Sequence, residues 1–239
     1  MKRDHRPYYI KKIYLTLERF YVNRFLRPQF EFLGQDVTFI KPWHMEIFGG
    51  PVSLGNCANV IATSDRKVRL SVWPPHQGAG CIQIGNYCLI CAGVRIGSGC
   101  EITIGDNCMI ASNAYLADGD WHDLYDRISP GKGAPITLGR NVWIGDNAII
   151  CKGVTIGQNS IIGAGSVVTS DIPPNTVAAG NPASVVKQLD PGQPLTERSQ
   201  WFSDPLKLAR DIDQIDRAML GENTLSHWLR HLLCPRKGE

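Results

Sequence analysis

The sequence predicts an all-β solenoid, in which short strands and corners repeat as coils. The first observation is a six-residue period between Ile84 and Pro173, with one branched aliphatic residue in each unit. The second is that Gly, Ala, Cys or Thr always follows this aliphatic residue. A period of six fits neither the 3.6-residue stripe of a helix nor plain strand alternation. Three units would close one coil of about 18 residues, and stacked coils would bury the aliphatic side chains.

Twelve units fit this period if a two-residue insertion, Ile102-Thr103, and a loop, His122 to Thr137, are allowed. The fifth positions are small residues or Val, except for Asp120 and Ile172. The first positions, which we expect to form the core, are Ile84, Ile90, Ile96, Ile104, Ile110, Leu116, Leu138, Ile144, Ile150, Ile156, Ile162 and Val168.

The segments before and after the repeats predict further structure. Residues 33–80 carry a degraded pattern, interrupted at Pro42-Trp43-His44 and near Trp73, and predict two irregular coils. After Pro173 we expect the chain to leave the β-helix through turns. One helix should begin at Ser203-Asp204-Pro205, because Pro is favoured in the first turn, and a second should cover 225–233. The predicted domains are 1–28, 29–189 and 190–239.

Residues 1–28 predict a basic amphipathic helix. They contain eight Lys or Arg against Asp4 and Glu18, whereas the whole chain has a net charge of +3. Such a helix can cap the first coil or make weak contact with an anionic membrane surface. No nucleic-acid-binding motif accompanies the charge.

Composition favours a cytoplasmic globular protein. No apolar run reaches the length of a membrane span, and no signal-peptide core follows the first charges. Of eight cysteines, five occupy small-residue slots of the repeat, which predicts free thiols in a reducing compartment. The pair Cys88 and Cys91 is therefore expected to be structural, and we expect no metal requirement.

The repeats resemble the hexapeptide-repeat acyltransferases. The resemblance extends over about residues 81–189 and is carried by Asn141-Val142-Trp143-Ile144-Gly145, by 162–169 and by 171–183. The last segment is similar to the galactoside, maltose and polysaccharide O-acetyltransferase branch. The resemblance implies a left-handed parallel β-helix, a homotrimer, and acetyl transfer from acetyl-CoA to a sugar or another glycan acceptor.

The resemblance implies His122 as the general base, at the single break in the regular coils. Imidazole suits proton transfer near neutral pH. Asp120 is the acidic residue in a slot otherwise filled by small side chains, where an unpaired carboxylate would be costly. Asp118, Asp120 and Asp123 are the candidates for orienting the imidazole, and the sequence does not choose among them.

The resemblance also implies contacts with the acyl donor between neighbouring subunits. Trp143 would lie along the pantetheine arm, Ala164 would offer backbone contacts, Thr169 would lie near the nucleotide, and Lys187 would reach a phosphate. Trp143 also has a packing explanation, and Lys187 also fits an ordinary solvated lysine.

The acceptor site departs from that of galactoside acetyltransferases, in which an Asn and an Asp hold the sugar. Cys91 and Gly99 stand at those positions here. Trp43, His44 and Trp73 instead are similar to features of enzymes that acetylate surface polysaccharides, since aromatic faces stack on sugar rings.

Three alternatives stay open at this point. N-acetylation of an amino sugar is the nearest. A metal lyase similar to γ-class carbonic anhydrases would need three histidine ligands, but the regular coils contain only His122, with His76 as a second candidate. A non-catalytic β-helix that only binds partners is the third.

Overall fold

A computed structural model of the chain describes residues 4–73 and 80–235. The described residues form two compact units, one from the segments within 1–20 and 200–239 and the other from 21–199. The larger unit contains all of the strands described.

The strands are short, and most have two or three residues. In chain order they are β1 (Phe32–Leu33), β2 (Thr38–Ile40), β3 (Met45–Phe48), β4 (Val52–Leu54), β5 (Asn59–Ile61), β6 (Val68–Val72), β7 (Ile82–Ile84), β8 (Leu89–Ile90), β9 (Arg95–Ser98), β10 (Ile102–Ile104), β11 (Met109–Ile110), β12 (Tyr115–Ala117), β13 (Ile136–Leu138), β14 (Trp143–Ile144), β15 (Ile149–Ile150), β16 (Thr155–Ile156), β17 (Ile161–Ile162), β18 (Val167–Val168), β19 (Thr176–Gly180) and β20 (Ala183–Gln188).

Every third strand pairs in parallel, so the larger unit is a three-sided parallel β-helix. Sheet A has the order β1-β4-β7-β10-β13-β16, sheet B has β2-β5-β8-β11-β14-β17-β19-β20, and sheet C has β3-β6-β9-β12-β15-β18. The strands β1 to β18 make six coils. The predicted solenoid is confirmed, with two irregular coils before the four regular ones.

The core of the β-helix consists of the predicted aliphatic column. All twelve first-position residues are buried, and each lies beside its counterpart in the next coil, as Leu116 lies beside Ile96 and Ile150. The small following residue allows the coils to approach. A Cβ on Gly145, for example, would lie 2.6 Å from the backbone nitrogen of Ala164.

The corners are joined by polar side chains that follow the same repeat. The Oδ1 atom of Asn56 accepts the backbone N–H of Gln35 (2.8 Å). Asn86 accepts from Asn56 (2.9 Å), and Asp106 accepts from Asn86 (2.7 Å). Each carbonyl or carboxylate oxygen thus satisfies a backbone donor that the turn leaves unpaired.

The chain does not leave the β-helix after Pro173, and that expectation is wrong. β19 continues sheet B beside β17, and β20 folds back on it as an antiparallel edge strand. The six-residue pattern does not predict this hairpin, because β20 is an edge strand whose side chains are mostly exposed and do not join the buried aliphatic column.

The smaller unit is helical. Its long helices are α1 (Tyr8–Tyr21), α3 (Pro205–Leu220) and α4 (Leu225–Leu233), and α2 (Arg198–Trp201) precedes α3. Asp204 caps α3 by accepting the N–H of Lys207 at 2.9 Å, so the predicted helix start is confirmed. The predicted bounds of α4 are confirmed as well. Beyond α1, the chain continues through a π-helical turn, Val22–Leu26, and a 3₁₀ turn, Arg27–Gln29.

The apolar face expected on the first helix is largely exposed. Ile13 and Leu17 are each more than half exposed, whereas Glu18 is the buried residue of α1. Polar contacts instead join α1 to α3, and Lys11 pairs with Asp216 at 2.5 Å. Among the helices of residues 4–73 and 80–235, none is both long and apolar enough to cross a bilayer.

Two adjacent isoleucines of β15 provide a test of the core. Ile150 is fully buried and Ile149 points outward. Ile150→Ala should lower the free energy of unfolding by about 2–5 kcal/mol because it leaves a cavity between coils, and Ile149→Ala by less than about 1 kcal/mol. Denaturant unfolding would measure both. Equal losses would contradict the assigned core.

Asp213 should make the stability of the smaller unit depend on pH. The ammonium of Lys12, the hydroxyl of Tyr8 and the guanidinium of Arg217 hold the pKa of this carboxyl well below its usual range. A depressed pKa stabilises the folded state above the unfolded pKa of about 3.9, and this contribution is lost as pH falls towards the folded value.

Asp213→Asn should therefore lower the melting temperature at pH 7, and the difference from the unmodified protein should shrink under acidic conditions. Far-UV circular dichroism at several pH values would measure it. Asp211→Asn is the matched control, and an equal effect in that variant would contradict the role of Asp213.

Candidate active site

The break in the regular coils is a loop whose two ends meet. The chain leaves after β12 and returns before β13, and an antiparallel bridge joins Gly119 to Gly133. The N–H of Ala134 donates to the carbonyl of Asp118 at 2.8 Å, and the N–H of Asp120 donates to the carbonyl of Lys132 at 3.2 Å. The loop therefore stands on a closed base.

Asp118 anchors this base. Its side chain is fully buried, and its carboxylate accepts the Ser98 hydroxyl at 2.7 Å and the N–H groups of Gly99 (2.7 Å) and Cys100 (3.0 Å). Three donors compensate the cost of burying the carboxylate. The start of the loop is thus tied to the corner of the preceding coil.

Asp120 lies outside the buried slots of the coils. Its carboxylate is exposed and pairs with Lys152 Nζ at 2.5 Å, and the same ammonium donates to the carbonyl of Lys132 at 3.1 Å. The chain has already left the coil at this position, so the fifth-position rule no longer applies. Asp120 and Lys152 close the base of the loop from outside.

His122 is exposed at the beginning of the loop. Within the described residues, no side chain hydrogen-bonds its imidazole. Asp123 instead accepts the backbone N–H groups of Tyr125 (2.9 Å) and Asp126 (3.1 Å), which lower the pKa of its carboxyl. Among the described residues, none of the three acids considered from the sequence hydrogen-bonds the imidazole, which is accessible to a ligand.

The residues expected at the acceptor site separate into two places. Trp43, in the 3₁₀ turn Pro42–His44, has its ring 6.0 Å from that of Tyr21. Trp73 instead lies beside Trp121, with 6.2 Å between the ring centroids. Trp73 is therefore the member of this set that lies near the loop.

Two of the residues expected to bind the donor share one column on sheet B. Trp143 is 45% exposed. From its strand, the successive register partners on the next three strands of sheet B are Ile161, Val177 and Lys187. At about 4.8 Å per strand, the Cα atoms of Trp143 and Lys187 are about 14 Å apart. Because its side chain is so exposed, Trp143 points outward and does not pack in the core.

The other two expected donor residues lie at the ends of neighbouring strands. Ala164 is exposed in the turn between β17 and β18, and Thr169 is exposed directly after β18. The loop with His122 follows a strand of sheet C, whereas Trp143 lies on sheet B. A single chain thus presents these two groups on different sheets.

No metal centre is evident in the part of the chain that the structure describes, since no three His, Cys, Asp or Glu side chains there are grouped as ligands. Cys88 is buried and its thiol donates to the carbonyl of Gly105 at 3.2 Å, and Cys91 lies in the next corner. His76 lies outside the described residues.

Three residues of this region were not assigned these roles from the sequence. The sequence indicates Asp118 as a possible partner of His122 and not as an anchor, and it does not single out Lys152 or Trp121. The available signal was position, because Asp118 immediately follows the last strand before the break. Lys152 lies in a later coil, and only the stacking of coils brings it to Asp120.

Comparisons with known proteins agree with this architecture. The family described as bacterial transferase hexapeptide (six repeats) matches residues 135–170. Galactoside O-acetyltransferase of Escherichia coli K12 is 50% identical over 92 residues, which cover 37% of this chain and 45% of that protein. The chain therefore spans less than half the length of that relative.

A solved structure shares the fold. A variant of AntD, an N-acyltransferase from Bacillus cereus in complex with dTDP and coenzyme A, matches with a TM-score of 0.55 and 21% identity, over 81% of this chain and 96% of that one. The repeats and the three-sided coil agree with these matches, and the chain resembles the hexapeptide-repeat acyltransferases.

Proposed function

We propose that this protein transfers an acetyl group from acetyl-CoA to a hydroxyl of a sugar, a sugar nucleotide or a polysaccharide precursor, with His122 as general base. The observation that carries the proposal is the exposed imidazole of His122 on the one loop that interrupts the regular coils, held at a closed base by Asp118. The name of the Escherichia coli relative supports the O-acetyl reaction.

The proposed reaction needs one base and no redox step. The imidazole of His122 takes the proton of the acceptor hydroxyl as its oxygen attacks the thioester carbonyl carbon. The new C–O bond forms, the C–S bond breaks, and the coenzyme A thiolate leaves and takes the proton back from the imidazolium. Asp120 supports this step because the ion pair between its carboxylate and the Lys152 ammonium fixes the base of the loop.

We further propose a homotrimer with left-handed coils, in which the site is completed between copies. The location of His122 and Trp143 on different sheets supports this arrangement, because a second copy can bring the sheet B column of one chain to the loop of another. Trp143 and Lys187 would then contact the pantetheine and phosphate parts of coenzyme A, and Ala164 and Thr169 the neighbouring parts.

His122→Ala tests the base. Its acetyl transfer should fall by about 10²–10⁴-fold, which is the usual contribution of a general base, while the Kd for coenzyme A should change little. Mass spectrometry of a panel of sugars, nucleotide sugars and oligosaccharides would measure transfer. Tyr125→Ala, in the same loop, is the control. Unchanged transfer in His122→Ala would end the proposed mechanism.

Trp143→Ala tests the donor site. Losing an aromatic contact should raise the Kd for acetyl-CoA roughly 3- to 10-fold, which isothermal titration calorimetry would measure. Trp201→Ala removes another exposed indole and should bind acetyl-CoA like the unmodified protein. Equal Kd values for all three proteins would exclude the sheet B column as the donor site.

A further inference from the structure

Three exposed aromatic rings form a continuous row on sheet C and beside it, which we call the aromatic stripe: Phe48, Trp73 and Trp121. Phe48 ends β3, Trp73 follows β6, and Trp121 follows β12. The rings are 52%, 46% and 42% exposed, respectively. Adjoining exposed aromatic rings mark binding surfaces more often than single ones do.

The three rings are in sequence along the axis of the β-helix. The centroids of Phe48 and Trp73 are 4.6 Å apart with the planes tilted by 40°, and those of Trp73 and Trp121 are 6.2 Å apart in an edge-to-face contact. Contacts at these distances stabilise the rings against one another. The row is thus already formed before any ligand binds.

Gly97 makes room for the last ring. A Cβ on Gly97 would lie 3.3 Å from Cζ2 of Trp121, and one on Gly99 would lie 4.0 Å from Cζ3. The indole N–H of Trp121 donates to the hydroxyl of Tyr115 at 3.4 Å. Trp121 therefore folds back over the preceding coil, where it adjoins Trp73.

A polar column runs beside the stripe on the same sheet. Glu46, Arg69, Arg95 and Tyr115 are successive register partners. Glu46 pairs with Arg69 at 2.7 Å, and the guanidinium of Arg95 lies 4.4 Å from the centre of the Tyr115 ring. Guanidinium and hydroxyl groups can therefore donate hydrogen bonds next to the apolar ring faces.

The stripe leads to the candidate base. Trp121 is the residue before His122, so an extended ligand on the stripe would bring one end to the loop. Ring faces beside hydrogen-bond donors suit a molecule with apolar C–H faces and hydroxyl edges, which is the chemistry of a pyranose.

We infer that the aromatic stripe and the polar column bind a pyranosyl oligosaccharide, whose terminal unit reaches His122. The inference rests on the proposed function, since it names the acceptor of that site. It assigns Phe48, Trp73 and Arg95 to acceptor binding. The donor, acetyl-CoA, binds separately along the Trp143 column of sheet B.

Saturation-transfer NMR with maltotriose, cellotriose and chitotriose tests this inference on the full chain. At least one trisaccharide should bind, and Phe48→Ala and Trp73→Ala should each weaken that binding up to roughly tenfold through loss of an aromatic contact. Phe32→Ala is the matched control, because Phe32 is 54% exposed on sheet A, and it should bind as the unmodified protein does.

Two results would overturn the inference: no binding of any trisaccharide, or equal binding by the stripe variants and Phe32→Ala. Light scattering on the same variants would detect another contrary result. If the oligomer dissociates in Phe48→Ala and Trp73→Ala, the aromatic stripe is a contact between copies and not a saccharide site.

Calorimetry with acetyl-CoA separates this inference from the proposed function. If a trisaccharide binds and acetyl-CoA does not, the proposed acetyl transfer is excluded and the aromatic stripe is supported as a saccharide site. Acetyl-CoA binding without trisaccharide binding would support the donor site and overturn the stripe.

Discussion

The stacking of one branched aliphatic side chain on the next, coil after coil, is the interaction on which this structure depends. Because the column of Ile96, Leu116 and Ile150 points inward, the residues on either side of it must point outward in register. The columns of Trp143 on sheet B and of Arg95 on sheet C follow from that constraint. The hydrophobic core therefore determines which surface residues are neighbours.

The parts of the fold that repeat could be predicted from the sequence, and the parts that depend on a single contact could not. Every aliphatic slot from Ile84 to Val168 is buried, because one residue type at a fixed spacing is enough to specify it. Asp120 failed the same rule because the coil ends just before it. The hairpin of β19 and β20 is held by pairing with β17, which leaves no periodic signal.

The places of His122 and Trp143 in the fold could be predicted from the sequence, but the contacts around the loop could not. The loop break indicated His122, and the outward slot indicated Trp143. The contacts of Asp118 with Ser98 and of Asp120 with Lys152 join residues that are 20 and 32 positions apart. Such pairs arise only when one coil lies on another. Acidic residues that follow one another in the sequence therefore have separate structural roles.

The closed base of the loop has a consequence for how such a protein can change. The chain leaves and returns at the adjoining residues Gly119 and Gly133, and no residue between these points belongs to the buried aliphatic column. The entropy of closing a loop rises only slowly with its length. Longer, shorter or differently composed segments could be exchanged there without altering the core, so the exposed surface of the loop can vary while the scaffold stays the same.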